Sequence, residues 1–215
     1  MKATNKYVIG GIILAVFLVF TILVMTVDVK AIGPEGTEVG FAALNGAVAK
    51  SLGYKDAWYK ISKVLGIITF LPVFCFAALG VYQLIKRRSI LKVDRDILIL
   101  GGFYIVVMLC FVAFELLKIN YRPVVLDDGL EASYPSTHTM LALCIMVTAI
   151  LQISKRVAQP VVKNVLMAAC ALIAVLLVIT RMLSGVHWFT DIIGGLLISA
   201  TLIWFYYALT MGNEE

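Results

Sequence analysis

The chain has 215 residues, of which 62% are hydrophobic and only 14% charged, with a formal net charge of +5. A soluble domain sits near half apolar and a quarter charged, so one water-facing core of this length could not hide so much apolar surface. The composition points to a membrane protein and away from nucleic acid: the lysines and arginines lie between apolar runs, and no stretch interleaves aromatics with a basic groove. Cys75, Cys110, Cys144 and Cys170 fall inside apolar runs and show no metal-ligand spacing.

A hydrocarbon core about 30 Å thick takes roughly 20 helical residues to cross. Residues 7–27 carry no charge and follow Lys2 and Lys6. They are too long for a typical signal-peptide apolar region, and no small-residue cleavage site follows, so they are expected to form the first spanning helix. Residues 28–60 hold Pro34, several glycines and most of the mid-chain charge. Within them Phe41, Leu44, Val48 and Leu52 recur at helical spacing, with Trp58 and Tyr59 nearby. This fits a short interfacial helix ahead of an aromatic anchor, and an irregular loop fits equally well.

Five further apolar runs follow, at 61–85, 97–117, 135–153, 161–183 and 188–210. Pro72 lies inside the first of them, where neighbouring helices can compensate the lost backbone bond. The expected fold class is all-α: a polytopic six-helix bundle with a short interfacial helix in the first outer loop, forming one membrane-embedded domain over residues 1–215. The break after the second span carries Lys86, Arg87, Arg88, Lys92 and Arg95, and the break after the fourth carries Lys155, Arg156 and Lys163. With Lys2 and Lys6 these place both termini in the cytoplasm, against a counter-signal from Lys30, Lys50, Lys55, Lys60 and Lys63 in the long first loop.

Under that topology both histidines, His138 and His187, fall at the outer face of a cell membrane, with Lys118, Arg122, Arg181 and Asp191 beside them. Ionisable groups at membrane depth are costly and are read as functional. At the end of the third span, Lys118 and Arg122 share a helical face at i,i+4, which suits an anion with several oxygens. Interfacial snorkelling that ends a helix remains the plainer reading. Opening the fourth span is Ser133-Tyr134-Pro135-Ser136-Thr137-His138. Proline is favoured at the first helical position, and the unpaired amides after it make an anion cradle with Ser136 as an extra donor. Across the turn between spans five and six, His187 and Asp191 lie four apart, so a helix puts the carboxylate within reach of the imidazole to fix its tautomer. A simple helix-start contact is the alternative there. Taken together, two imidazoles, one carboxylate and three cations suit phosphoryl transfer through a phosphohistidine, without a metal or other cofactor.

At these residues the chain resembles the type 2 phosphatidic acid phosphatase family, or lipid phosphate phosphatases, a superfamily shared with vanadium-dependent haloperoxidases. The family's motifs are a lysine seven residues before Arg-Pro, then Pro-Ser-Gly-His, then Ser-Arg followed by His and Asp. Arg122-Pro123, Pro135-Ser136-Thr137-His138 and Arg181 with His187 and Asp191 match in order and spacing. The resemblance implies a six-helix fold, His187 as nucleophile with Asp191 as its partner, and His138 as general acid. It implies phosphate binding by Arg122, Arg181, Ser136 and Thr137. Three positions depart from the family. Glu115 stands where the lysine belongs, with Lys118 one turn later as the candidate replacement; Thr137 replaces glycine; Thr180 replaces serine.

The expected activity is hydrolysis of a lipid phosphate or pyrophosphate, of the undecaprenyl pyrophosphate, phosphatidylglycerophosphate or phosphatidic acid class. The expected partners are therefore the lipid substrate and the bilayer. A lipid phosphotransferase using the same intermediate is one alternative, and a non-catalytic anion transporter or binding protein is another. The acidic outer segment Asp127-Asp128-Gly129-Leu130-Glu131 could discriminate among substrates or could be a solvated loop.

Overall fold

The computed structural model describes residues 3–126 and 129–210; Lys2, Asp127 and Asp128, which entered the reading above, lie outside them. Eight α-helices follow in chain order: α1 (Ala3–Thr26), α2 (Ala42–Leu52), α3 (Asp56–Thr69), α4 (Leu71–Arg87), α5 (Arg95–Leu117), α6 (Thr137–Arg156), α7 (Pro160–Leu183) and α8 (Phe189–Thr210). Six spans among the described residues are long and apolar enough to cross a membrane, with α3 and α4 together making one of them, Asp56–Arg87. Each run expected to span is helical, and no strand is found among the described residues beyond isolated bridges.

The second span is longer than the apolar run suggested. It starts at Asp56 because α3 carries polar groups on its first turns, where Lys60 pairs with Asp56 at 2.7 Å, one turn apart. Pro72 lacks the N–H that would continue the ladder, so the span divides at Phe70, whose own backbone stays helical (φ −80°, ψ −10°). The segment after α1 forms helix α2, where helix and irregular loop had both been open. Asn45 ties α2 to the start of α8: its side-chain amide donates to Thr190 Oγ1 at 2.9 Å, and its carbonyl accepts from Thr190 N at 3.2 Å.

Helix α6 is the centre of the bundle. The apolar window of α6 is 61% buried, against 6% for the α3–α4 span, which therefore lies at the periphery with most of its surface outward. Met140, Cys144 and Leu141 on α6 pack with Leu100 and Phe103 of α5, Phe17 of α1 and Ile198 and Tyr206 of α8. On another side Met146 and Ala149 meet Cys170 and Ala174 of α7. All four cysteines are free thiols among these helices.

Helix α8 approaches the entrance of α6 closely enough to need glycine. A Cβ at Gly194 would lie 2.6 Å from the Tyr134 ring, which itself is anchored to α1 by a hydrogen bond between its hydroxyl and Thr21 Oγ1 (2.8 Å). The Gly194-Gly195 pair thus serves packing within the chain. The α1–α2, α5–α6 and α7–α8 connections meet at one end of the bundle, and the basic α4–α5 and α6–α7 connections at the other.

Candidate active site

Three connections converge on one buried polar cluster. The strand-like stretch after α5 folds back on itself, with Arg122 N donating to Glu131 O at 3.0 Å and Ser133 N to Asn120 O at 2.8 Å. This turns Arg122 inward, where it is 6% exposed and pairs through Nη2 with Glu131 at 2.7 Å. Trp188, buried next to His187, donates from its indole to Tyr121 O at 2.7 Å and so locks this loop to the α7–α8 turn.

That turn depends on Gly185. Its φ of +70° is left-handed, and a Cβ there would lie 2.2 Å from Gly53 O. Next to it Ser184 O accepts from Lys55 N at 3.0 Å, so the α2–α3 connection also abuts the site. Arg181, on the last turn of α7, is 1% exposed, and its guanidinium carbon lies 5.8 Å from the centre of the Tyr59 ring of α3.

The start of α6 differs from expectation. Pro135 does not open the helix; it follows a cis peptide after Tyr134, and Ser136 is the N-cap, with Thr137 the first helical residue. The cause is a tie outward: Ser136 N donates to Asp191 O of α8 at 2.9 Å, which holds this stretch extended. The first bond of the helical ladder runs from Met140 N to Ser136 O, so the amides of Thr137, His138 and Thr139 precede it, as an anion cradle requires. The Ser136 hydroxyl is fully buried and pairs with Thr139 Oγ1 at 3.0 Å.

His187 Nδ1 and Asp191 Oδ2 are 3.6 Å apart, an ion-pair distance longer than a hydrogen bond. The carboxylate is oriented by two other donors, Trp188 N to Oδ2 at 2.9 Å and Asn120 Nδ2 to Oδ1 at 3.4 Å. Burial holds the His187 imidazole well below the ordinary histidine value of 6.5, and the charges of Arg122 and Arg181 push the same way. His187 is therefore a neutral imidazole at pH 7. His138 stands on the first turn of α6.

The polar atoms of this cluster are mostly without protein partners. Arg122 Nε and Nη1, Arg181 Nε and Nη1, His138 Nδ1 and both nitrogens of His187 are buried and have no hydrogen-bond partner among the described residues. Buried polar groups in folded proteins are nearly always paired, and an unpaired buried cation is the costliest exception. Four guanidinium nitrogens and three imidazole nitrogens, all unsatisfied, describe a place for an anion rich in oxygen.

Of the residues singled out in the sequence, Arg122, Ser136, Thr137, His138, Arg181, His187 and Asp191 are gathered here. Lys118 stands apart: it caps α5 in a left-handed conformation (φ 46°) with its side chain exposed. The two unusual positions, Glu115 and Thr137, meet each other, with Thr137 Oγ1 donating to Glu115 Oε1 at 3.1 Å. Four neighbours escaped the sequence reading. Asn120 and Asn45 orient Asp191 and the start of α8, and Tyr59 and Lys63 flank the cluster from α3. The signal for Asn45 was a lone polar residue within an otherwise apolar helical pattern.

Beside the cluster, a cavity of about 630 Å³ is lined by Lys63 and Phe70 of α3 and its junction, Phe74, Phe111, His138 and Leu177 among others. Its walls are apolar except at the end where His138 and Lys63 stand.

Residues 114–215 match the sequence model of the PAP2 superfamily. The chain is 36% identical over 87 residues to sphingosine-1-phosphate phosphatase 2 of Mus musculus, covering 39% of this chain and 24% of that protein. It is 38% identical over 84 residues to the Homo sapiens protein of the same name, covering 38% of this chain and 21% of that one. The match thus spans less than a quarter of the length of these relatives. Over nearly its whole length the chain shares a fold with a transmembrane PAP2-type phosphatidylglycerolphosphate phosphatase from Bacillus subtilis (TM-score 0.65, 20% identity, 96% of this chain and 98% of that one).

Proposed function

We propose that this chain, a multi-pass membrane protein belonging to the PAP2 superfamily through residues 114–215, is a lipid phosphate phosphatase working through a phosphohistidine on His187. The observation that carries this reading is the set of unpaired nitrogens on Arg122, Arg181, His138 and His187, which a phosphate group would satisfy together. The whole described chain is read as one domain, since the bundle that α1–α4 help to build also supports the site through Asn45 and Tyr59.

In this reading Asp191 faces Nδ1 of His187, leaving Nε2 to attack phosphorus. Because the imidazole is neutral, its lone pair is available at pH 7. Arg122, Arg181 and the first amides of α6 hold the non-bridging oxygens, with Ser136 and Thr137 at the same helix start. Their charge grows more useful as the transition state spreads negative charge over those oxygens, and it does so without requiring a metal ion. His138 gives a proton to the leaving oxygen, then takes one from the water that cleaves the phosphohistidine. Lys118 adds positive charge at the rim. Both termini and the basic connections carrying Arg87, Arg88, Lys92 and Arg156 are assigned to the cytoplasm, which puts this site on the outer face of the cell membrane.

The test is phosphate release from lipid phosphates by detergent-purified protein in excess chelator. Release by the wild type together with a radiolabel trapped on histidine would support the reading. Wild-type activity that survives unchanged in His187→Ala would end it.

A further inference from the structure

Glu115 stands where the resembled family carries a lysine, and its carboxylate is engaged with Thr137. A cation is nevertheless present beside the site, supplied by a different helix. Lys63, on the second turn of α3, lines the cavity that His138 also lines. Its ammonium lies 4.5 Å from the centre of the Tyr59 ring, and the same ring lies 5.8 Å from the Arg181 guanidinium carbon. Tyr59 thus lies against both cations. The neighbouring Lys60 is neutralised by Asp56 at 2.7 Å, whereas Lys63 has no carboxylate partner among the described residues.

The placement is one-sided. Arg122, Arg181 and His187 do not line this cavity, while His138 and Lys63 do, at the end of an otherwise apolar wall. If His138 serves the leaving oxygen, the departing part of the substrate occupies the cavity, its hydrocarbon along the wall and its first polar group beside Lys63. A monophosphate ester departs as a neutral alcohol, which gives an ammonium nothing to neutralise. A diphosphate departs as a lipid monophosphate, which carries negative charge at that point.

We propose that Lys63 binds the inner, lipid-linked phosphate of a lipid diphosphate, and that it makes diphosphates the preferred substrate class of this site; this rests on the phosphohistidine reading above. His187 Nε2 forms a bond to the terminal phosphorus as the bond from that phosphorus to the bridging oxygen breaks. The bridging oxygen keeps the electron pair and takes the proton of His138, and Lys63 neutralises the charge left on the inner phosphate. Water then cleaves the phosphohistidine, releasing inorganic phosphate and returning the proton to His138.

The experiment compares one prenyl lipid as its mono- and diphosphate, with wild type, Lys63→Met, Lys63→Arg and His187→Ala as full-length protein in detergent micelles. Losing a charge-assisted contact is worth about tenfold to a hundredfold, so Lys63→Met is expected to lose that much kcat/KM on the diphosphate and less than about threefold on the monophosphate. Lys63→Arg is expected to recover most of the diphosphate rate. Lys63 is exposed, and an unchanged gel-filtration profile and melting temperature would show that the variant folds. Equal losses on the two substrates, or none on either, would overturn the proposal while leaving the phosphohistidine reading standing. Wild-type rates matched by His187→Ala would instead remove that reading, and this proposal with it.

Discussion

Arginine stands at both ends of the bundle and is partnered in opposite ways. At the basic-loop end Arg156 reaches Asp94 at 2.9 Å, Asp96 at 2.6 Å and Gln152 at 2.9 Å, while Gln83 and Arg87 complete Asp94 at 2.8 Å each. Gln152 passes the network on to the Tyr206 hydroxyl at 2.6 Å. These groups hold the Asp94 carboxyl far below the usual carboxylate range, Arg156 contributing most. At the other end, among the described residues, Arg122 has one carboxylate partner and Arg181 has none, and four of their nitrogens are unpaired. A closed network fixes helices α4, α5 and α6 relative to each other; an open one keeps its bonding capacity for something that arrives later. In the proposed reading the same residue type serves architecture at one end and recognition at the other, and the count of satisfied nitrogens tells them apart.

That contrast can be broken by mutation. The largest effect is expected at His187, where alanine should lower kcat by about a thousandfold or more, because the covalent path is lost. Next, Arg181→Met should cost about a hundredfold in kcat/KM, as removal of one preorganised donor does elsewhere. The same variant should melt at or above the wild-type temperature without ligand, since it deletes an uncompensated buried charge. A clear fall in melting temperature would place Arg181 with the architectural arginines. Arg156→Met should do the reverse, destabilising the detergent-solubilised protein by about 1–3 kcal/mol through Asp94 and Asp96 while changing kcat/KM by only a few-fold. A collapse of activity at unchanged stability would contradict the assignment of that end.

The smallest effect concerns protons. His187 has a folded-state value depressed below 6.5, so between the two values the unfolded chain binds the extra proton. Its contribution to stability is therefore full above 6.5 and diminishes as pH falls through that window. Histidine NMR on the free protein should show His187 titrating below 6.5, and closer to it in Arg181→Met, because one of the opposing charges is gone. A titration at or above 6.5 in the wild type would mean that the cluster is wetter or less cationic than described.

Much of this was legible in the sequence. Six apolar runs gave six spans, since length and the absence of charge suffice when the solvent is hydrocarbon. The boundary at Asp56 was missed because Asp56, Lys60 and Lys63 look like loop residues, although helix α3 carries them. Pro135 was misplaced because the rule for the first helical position ignores a tertiary tie, here Ser136 N to Asp191 O. The gathering of Arg122, His138, Arg181 and His187 could be read from their order and spacing, which helical periodicity turns into geometry. The partners that orient them could not: Asn45 acts on Thr190 across 145 positions, and the Glu115–Thr137 pairing joins two departures that looked independent.

The most direct test is to load the purified protein with a lipid phosphate labelled at its terminal phosphorus, in excess chelator, and quench in alkali. The account predicts an alkali-stable, acid-labile label on His187, absent from His187→Ala, and free phosphate as the final product. Undiminished phosphate release by His187→Ala, or a label carried by another residue, would contradict it.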